Sequence, residues 1–345
     1  MISFLPRKKI NYARIEHILS DSFEANHYTN NGPVKIRLEA YLENLFKIDR
    51  GKRVVCCSNG TVALHSILYL CNEKFDCKNW LTPAFTFPSC VVGAGNEFKI
   101  DICDIDPNTY TLTLSQKLFL EYDGTIITNL FGSFTNLPEW VKFCKKEGKI
   151  LIFDNAASPL SLYNGVNICN FGDYSFGSLH HTKYLGFGEG GFIVCPQEDY
   201  DKLNSITNFG FFFNETGFRE FKRQSSNFKI SDVSAAFILN HIETYSMDKH
   251  LKNQGRLVNG ISKMQHVKPF NYKPGTVYNT FPVVFNQDID ESYFCDLGIK
   301  THKYYQPISP LPNSMDIYNK IINFPLYADM SAKQIEHIIN IIGDV

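Results

Sequence analysis

The stretch SLHHTKYLGFGEGGFIVC, residues 178–195, combines a lysine behind two histidines with a run of glycines. The glycines fit the pattern G-x-G-x-x-G, which in dinucleotide-binding proteins follows a strand and opens a helix. The residues after Gly191 are Phe-Ile-Val-Cys, however, and aromatic and β-branched residues indicate a strand. No acidic residue stands where a dinucleotide site would bind the ribose. The glycines therefore predict a hairpin between two strands that passes close to a ligand, and Lys183 is left as the candidate for chemistry.

Two kinds of segment alternate on the N-terminal side of this hairpin. Short apolar runs predict buried strands at RVVCCS, NWLTPAF, EFKIDICDID, GTIITNLFG and KILIFDNAA. The runs between them predict helices at TVALHSILYLCNE, FPSCVVGAGN, LSQKLFLEY and LPEWVKFCKKEG. Buried strands separated by helices are typical of a three-layer α/β/α domain whose mainly parallel sheet is covered on both faces.

The pattern changes beyond residue 200. Residues 232–264 predict one long helical stretch, and the tail predicts a strand, a helix, a strand and a terminal helix. This arrangement indicates a small α+β domain at the C-terminus. We expect the boundary to fall within the long helix, with a large domain at 1–245 and a small one at 246–345.

Bulk composition limits the possible partners. The 345 residues carry a formal net charge of −1, which gives no reason to expect a nucleic-acid partner. No apolar run approaches the length of a membrane span, and the N-terminus lacks the order of residues found in a signal peptide. The ten cysteines are scattered without a C-x-x-C pair, which predicts free thiols in a reducing cytoplasm and no metal site.

Two side chains accompany Lys183 on the predicted sheet, a carboxylate and an aromatic ring. Asp154 ends the apolar strand KILIF, and the carboxyl ends of parallel strands are where open α/β sheets bind ligands. A buried carboxylate requires a cation or strong donors, and a protonated pyridine nitrogen would be such a partner. Phe87 lies in PAFTFPS and can stack on a flat ring.

A phosphate site is predicted beside them. The segment VVCCSNGTVALHSIL indicates a strand, a turn at Asn59-Gly60-Thr61, and a helix whose first amides and dipole attract an anion. Ser178 can add a hydroxyl to the same anion. An amine, a carboxylate, an aromatic ring and a phosphate site on one sheet edge together indicate pyridoxal 5′-phosphate.

With these residues in place, the chain resembles the DegT/DnrJ/EryC1/StrS family of sugar aminotransferases, which have the fold of aspartate aminotransferase. The resemblance runs through nearly the whole chain. It is carried in order by TNNGP with Glu39, SNGTVALHSIL, PAFTFPS, FDNAAS, GDYSFGSLHHTKYLGFGEGGFIV, SSNFKISDVSAAFIL, GIKTHKYY and FPLY. It implies a large pyridoxal-phosphate domain, a small C-terminal domain and a homodimer with shared active sites.

The resemblance also implies roles for single residues. Lys183 would bind the cofactor covalently and shuttle protons, and Asp154 would pair with the pyridine nitrogen. Phe87 would stack on the cofactor ring, and Gly60, Thr61 and Ser178 would bind its phosphate. Asn227 would reach the phosphate from the neighbouring subunit. Asn227 is otherwise an ordinary loop residue.

Some positions depart from the family or concern the substrate. Ala157 stands where many members have Gln or His beside the ring hydroxyl, which leaves open how that hydroxyl is held. His181 replaces a small residue and either lines the sugar site or packs. Tyr28, Asn30 and Asn31 offer uncharged polar groups suited to sugar hydroxyls, although their Asn-Asn-Gly-Pro chemistry also explains a turn.

The implied activity is transfer of an amino group from L-glutamate to a nucleotide-linked keto-6-deoxyhexose. We expect amination at C-4 of dTDP-4-keto-6-deoxyglucose, for O-antigen lipopolysaccharide or another surface glycan. The alternatives are a dTDP-3-keto sugar aminated at C-3, and a UDP- or GDP-linked substrate. A related sugar dehydratase carries His in place of Lys183, so that lysine favours transfer. A non-catalytic regulator that binds the cofactor is a further alternative.

Overall fold

The computed structural model describes residues 1–115 and 119–345. The first nine strands are β1 (Lys52–Cys57), β2 (Asn79–Pro83), β3 (Lys99–Cys103), β4 (Gly124–Thr128), β5 (Ile150–Asp154), β6 (Leu162–Tyr163), β7 (Val166–Asn167), β8 (Tyr174–Ser178) and β9 (Gly191–Pro196). Seven of them form the central sheet in the order β1-β9-β8-β5-β4-β2-β3, while β6 and β7 pair separately. Strands β8, β5, β4, β2 and β3 pair in parallel, and β9 is antiparallel to both of its neighbours. The predicted mainly parallel sheet is confirmed.

Helices cover both faces of this sheet. They are α1 (Tyr12–Glu24), α2 (Pro33–Leu45), α3 (Gly60–Phe75), α4 (Leu137–Glu147), α5 (Tyr200–Thr207) and α6 (Asp232–Thr244). Along β1, Val55 packs in one apolar cluster with α3 and α5, whereas Val54 packs in another with α1, α2 and α6. Successive side chains of a strand point to opposite faces, so a strand covered on both sides is apolar throughout. This burial explains why RVVCC contains no alternation of polar and apolar residues.

Helix α2 also covers the open edge of β1. The carboxylate of Glu39 accepts the N–H of Cys56 at 2.7 Å, and that of Glu43 accepts the N–H of Val54 at 3.0 Å. Four residues of helix rise about 6 Å, which is close to the rise of two residues of strand. Carboxylates four residues apart therefore meet alternate amides of the strand edge.

A second, smaller unit follows α6. It contains α7 (Met247–Ile261), β12 (Val267–Pro269), β13 (Phe281–Phe285), α8 (Ser292–Asp296), α9 (Pro312–Lys320), β14 (Ile321–Phe324) and α10 (Ala332–Gly343). The three strands form an antiparallel sheet in the order β12-β13-β14. Residues from this sheet and from α7 and α10 share one apolar cluster. The domain boundary at residues 245 and 246 stays a prediction.

Three predicted helices need comment. The long stretch of residues 232–264 is not one helix, because Tyr245 and Ser246 have an extended backbone and α7 begins only at Met247. Residues 87–96 form short 3₁₀ turns at Pro88–Cys90 and Gly93–Glu97 instead of an α-helix, since Gly93 has a φ of +55° that a helix does not allow. The helix predicted over LSQKLFLEY includes residues 116–118, which lie outside the described residues.

All ten cysteines are free thiols, and eight of them are buried. Within residues 1–115 and 119–345, no helix combines the length and the apolar composition needed to cross a bilayer. An exposed hairpin of β10 (Phe211–Phe213) and β11 (Arg219–Phe221), termed here the aromatic hairpin, carries several solvent-exposed phenylalanines.

Candidate active site

A cavity of about 600 Å³ opens at one edge of the central sheet. Its lining includes Thr128, Asp154 and Ser178, which are the last residues of β4, β5 and β8. The carboxyl ends of parallel strands are the usual ligand site of an open α/β sheet. Six of the predicted site residues line this one cavity: Gly60, Thr61, Phe87, Asp154, Ser178 and Lys183.

Asp154 is a buried carboxylate at the floor of the cavity. Its side chain accepts the N–H of Ala156 at 2.8 Å, and the residue is 3% exposed. Burial raises the pKa of Asp154 to about 6, although the Ala156 amide, the charge of Lys183 and the Thr128 hydroxyl favour the ionised form. It forms no ion pair at short range with the described lysines, arginines and histidines. A carboxylate in this setting is suited to a cationic partner supplied by a ligand.

Lys183 stands on a turn of residues 180–187, termed here the lysine turn, between β8 and β9. The two strands pair antiparallel, so the predicted hairpin at the glycine run is confirmed. Side chains remote in sequence hold the turn. Asn279 accepts the N–H of Tyr184 at 3.0 Å, and a ring nitrogen of His241 lies 2.9 Å from the Tyr184 carbonyl oxygen.

Burial lowers the pKa of His241 to about 4, so its neutral ring donates this bond. The Nζ of Lys183 itself has no hydrogen-bond acceptor among the described residues. Its amine is thus available to a ligand in the cavity.

The start of α3 forms the opposite wall. The Asn59 side chain caps the helix by accepting the N–H of Val62 at 3.0 Å, and the amides of Gly60 and Thr61 lie in the first turn, which has no intrahelical acceptor. A Cβ on residue 60 would lie 3.3 Å from the Cβ of Ser178, so glycine lets the helix start approach β8 closely. These amides and the Ser178 hydroxyl form a site for a phosphate dianion.

Aromatic rings line the cavity above these groups. Phe87 is half exposed, and its ring meets that of Tyr305 edge to face with centroids 5.8 Å apart. Tyr305 in turn stacks on Phe131 at 5.4 Å with an interplanar angle of 9°. Tyr304 and Tyr305 come from GIKTHKYY in the C-terminal unit, and both line the cavity. The segment GIKTHKYY resembles the family, but neither tyrosine was predicted to be a site residue.

His180 is a lining residue that sequence analysis missed. The backbone N–H of Thr182 approaches its Nδ1 at 3.3 Å, so Nδ1 accepts and Nε2 carries the proton of the neutral ring. Nε2 faces the carboxylate of Glu189 at 3.5 Å, and both residues line the cavity. His181, which was predicted to line the sugar site or to pack, is outside the lining and packs on Phe187 with ring centroids 5.6 Å apart. The strand period would have indicated His180, two residues after Ser178, only if β8 is extended past its end at Ser178.

Four other predicted residues lie away from the cavity of their own chain. Asn227 is exposed, and its side-chain oxygen accepts a hydrogen bond from Lys229. Asn30 and Asn31 have φ values of +54° and +63°, as the turn-forming interpretation of TNNGP requires, and the carbonyl of Tyr28 accepts the N–H of Asp232 at 2.9 Å. Whether these four side chains contact substrate or cofactor stays a prediction.

Two further observations bear on the cofactor. Ala157 lines the cavity and offers no side-chain hydrogen bond there. Within the part of the chain that the structure describes, no group of three or more His, Cys, Asp and Glu side chains could hold a metal ion. The groups at hand are an amine, a carboxylate and a phosphate-binding helix start, and together they fit pyridoxal 5′-phosphate.

Comparison with known proteins agrees with this chemistry. A family model described as "DegT/DnrJ/EryC1/StrS aminotransferase family" matches residues 10–343. A dTDP-4-amino-4,6-dideoxy-D-glucose transaminase of Shigella dysenteriae is 24% identical over 92% of each chain. A UDP-4-amino-4,6-dideoxy-N-acetyl-beta-L-altrosamine transaminase of Campylobacter jejuni is 23% identical over 82% of each. A crystal structure of a putative PLP-dependent aminotransferase from Bacillus cereus has the same fold, with a TM-score of 0.85, 21% identity and 99% of each chain covered.

Proposed function

The chain belongs to the DegT/DnrJ/EryC1/StrS aminotransferase family, and from this premise we propose that it transfers an amino group from L-glutamate to a nucleotide-linked keto sugar. It is an aminotransferase, and its cofactor is pyridoxal 5′-phosphate. One observation carries the proposal: Lys183 and Asp154 line the same cavity at the carboxyl edge of the sheet. The sequence expectation of a pyridoxal-phosphate aminotransferase is confirmed at this level.

Each group in the cavity has a natural task toward the cofactor. Asp154 would pair with the pyridine nitrogen, and Lys183 would bind the cofactor covalently. The Gly60 and Thr61 amides and the Ser178 hydroxyl would hold the phosphate. Phe87 would cover one face of the ring. When bound, pyridoxal 5′-phosphate supplies the electron sink that stabilises a carbanion at the carbon bearing the amine.

The amine of Lys183 would also move protons. Its Nζ takes the proton from the Cα of the amino donor and later returns a proton to the sugar carbon that receives the amine. For this task the side chain needs freedom from competing partners, and Nζ accordingly has no hydrogen-bond acceptor among the described residues. Burial favours the neutral form of Asp154, but the Ala156 amide, the charge of Lys183 and the Thr128 hydroxyl favour the carboxylate, and a protonated ring nitrogen would favour it further.

We also propose that the protein acts as a homodimer with shared active sites. Lys183 is the single lysine or arginine among the cavity-lining residues that the structure describes, so a nucleotide diphosphate finds little positive charge within one chain. Asn227 is exposed and lies outside its own cavity, on the segment that follows the aromatic hairpin. We therefore place Asn227 at the cofactor phosphate of the neighbouring subunit. Two-fold symmetry makes the two sites equivalent.

For the acceptor, we propose dTDP-4-keto-6-deoxyglucose, aminated at C-4. The names of the Shigella and Campylobacter relatives both carry a 4-amino group, and the former is dTDP-linked. The 4-ketone is also what a nucleotide-sugar 4,6-dehydratase delivers directly, whereas a 3-ketone requires an additional isomerisation. We place the reaction in the cytoplasm, in the synthesis of O-antigen or another surface glycan.

Product analysis tests this assignment. Purified protein is incubated with glutamate and a panel of dTDP-, UDP- and GDP-linked 4-keto and 3-keto sugars, and the products are examined by NMR. We expect an amine on C-4 of the dTDP product. Turnover of the 3-keto isomer alone, or of UDP- or GDP-linked sugars alone, would show that the proposed acceptor is wrong. The assignment as an aminotransferase would still stand.

A further inference from the structure

A lysine from the N-terminal segment contacts the lysine turn from behind. Lys8 Nζ donates to the carbonyl oxygen of Lys183 at 2.8 Å and also to that of Gly186. The N–H of Gly186 in turn donates to the Lys183 carbonyl at 3.0 Å. One amine therefore bridges both ends of the short chain segment that begins at Lys183.

The segment that carries Lys8 is itself fixed at its other end. The N–H of Ile2 donates to the Gly298 carbonyl at 2.7 Å, and the N–H of Lys300 donates to the Ile2 carbonyl at 3.0 Å. Phe4 is buried, lines the cavity and meets the ring of His302 edge to face at 4.4 Å. Residues 2–8 thus run from the C-terminal unit, past the cavity wall, to the lysine turn.

Lys8 differs from an ordinary surface lysine. It forms no ion pair with a carboxylate of the described residues, and burial lowers the pKa of its amine to about 7. Its neighbour Lys9 is 86% exposed at the side chain and lies 3.4 Å from Asp329. An amine withdrawn from water and aimed at backbone carbonyls is placed to hold those carbonyls.

We propose that Lys8 is a positioning residue, whose amine fixes the lysine turn by bridging the Lys183 and Gly186 carbonyls and so sets where the Lys183 side chain begins. This inference rests on the proposed role of Lys183 in the reaction. Proton transfer requires the amine to lie within hydrogen-bond reach of the reacting carbon, and an error of about 1 Å can cost roughly 10²-fold in rate. The backbone of residue 183 is otherwise held by its own turn, since its N–H donates to the His180 carbonyl at 2.9 Å.

The test uses Lys8→Met, which keeps the apolar stem and removes the amine, Lys8→Arg, which keeps donors and charge, and Lys9→Met as a matched control. The first readout is hydrogen exchange of residues 180–187 in protein freed of cofactor. We expect Lys8→Met to speed exchange in this peptide by about tenfold or more and Lys9→Met to leave it unchanged, because local opening governs exchange. Should Lys8→Met fail to fold, Lys8→Gln takes its place, since its shorter amide cannot span both carbonyls.

The second readout is steady-state transamination. For Lys8→Met we expect kcat to fall by roughly 10- to 100-fold with KM for the keto sugar within about twofold, and Lys8→Arg to recover most of kcat. The proposal would be overturned if the exchange rate and kcat of Lys8→Met match those of Lys9→Met. It would also be overturned if Lys8→Met changes KM alone. The exchange measurement needs no turnover, so it decides the role of Lys8 even if the proposed reaction fails for every sugar in the panel.

Discussion

The cavity and the aromatic hairpin are built in opposite ways. Asp154 is 3% exposed, and side chains from both units of the chain hold the lysine turn. In the aromatic hairpin Phe213 is 74% exposed and Phe218 is 68% exposed. Contacts within the chain position the polar groups of the cavity, whereas the aromatic hairpin leaves large apolar rings in water.

This contrast separates chemistry from recognition. Exposed aromatic clusters on a globular protein commonly mark a surface that another molecule covers. In the homodimer proposed above, a second copy would cover the hairpin and the following segment with Asn227, whereas Lys183 and Asp154 are positioned by their own chain. The contrast makes two predictions. The chemical groups come from the cavity of one chain, and a complete active site requires residues from two chains.

Lys183→Ala gives the largest expected effect. Without the amine, transamination should fall by about 10⁴-fold or more, because covalent attachment and proton transfer are lost together. Stopped-flow absorbance with glutamate and steady-state turnover measure the loss. The control is Lys202→Ala, an exposed lysine of α5. Turnover near the parent rate in a correctly folded Lys183→Ala protein would remove this residue from the mechanism.

Asp154→Asn ranks second. The amide cannot balance a protonated ring nitrogen, so the half-reaction with glutamate should slow on the order of 10³-fold while cofactor still binds. Single-turnover absorbance measures the rate. Asp173→Asn makes the same change in an exposed residue at the other end of β5, where the carboxylate accepts the Leu151 N–H at 2.8 Å. Equal rates for the two variants would mean that Asp154 is a structural carboxylate.

The same carboxylate should make stability depend on pH in cofactor-free protein. The pKa of Asp154 is raised to about 6 in the folded state, so its contribution is fully present below the unfolded pKa and is lost as pH rises through 6. Between about pH 4 and pH 7.5 the free energy of unfolding should fall by about 2 kcal/mol relative to Asp154→Asn. Urea unfolding of both proteins across this range measures the difference. A constant difference would mean that the carboxyl has an ordinary pKa.

Mixing two kinds of variant chain gives the smallest expected effect. It tests whether Asn227, on the segment that follows the aromatic hairpin, acts in the active site of the neighbouring subunit. Lys183→Ala chains and Asn227→Ala chains should each be inactive or weakly active alone. In a statistical mixture half of the dimers are mixed, and each mixed dimer has one intact site, so about a quarter of parental activity should return. Activity of the mixture equal to the average of its components, or full activity in a protein that ultracentrifugation finds monomeric, would locate the whole site in one chain.

The sequence predicted the parts of the site that depend on local pattern. Asp154 was found because it ends an apolar run, and a parallel strand must finish at the ligand edge. Gly60 was found because a strand, a short polar turn and a helix start form a recognisable anion site. Lys183 was found from the hairpin glycines and from family resemblance. In each case a few consecutive residues determine both the local fold and the position at the sheet edge.

The remaining parts depend on contacts between distant segments. Asn279 meets Tyr184 across 95 positions, and Lys8 meets Lys183 across 175, so no local pattern connects them. The choice between His180 and His181 depended on which side of the turn faces the cavity, which the strand period suggests only if β8 is extended past Ser178. The break of the predicted long helix at Tyr245 likewise needed the backbone itself, since residues on both sides have helical patterns.

The carboxylates of Glu39 and Glu43 have a consequence beyond holding α2 in place. Strand β1 is the outermost strand of its side of the sheet, and an uncovered outermost strand is a template on which another chain can add a strand of its own. The amides of Val54 and Cys56 are already bonded to these carboxylates, which pair with Arg53 and Lys35, so β1 does not offer these two donors to an incoming strand. The β1 edge of the sheet is therefore protected from amyloid-like growth, although the protein exposes the aromatic hairpin elsewhere.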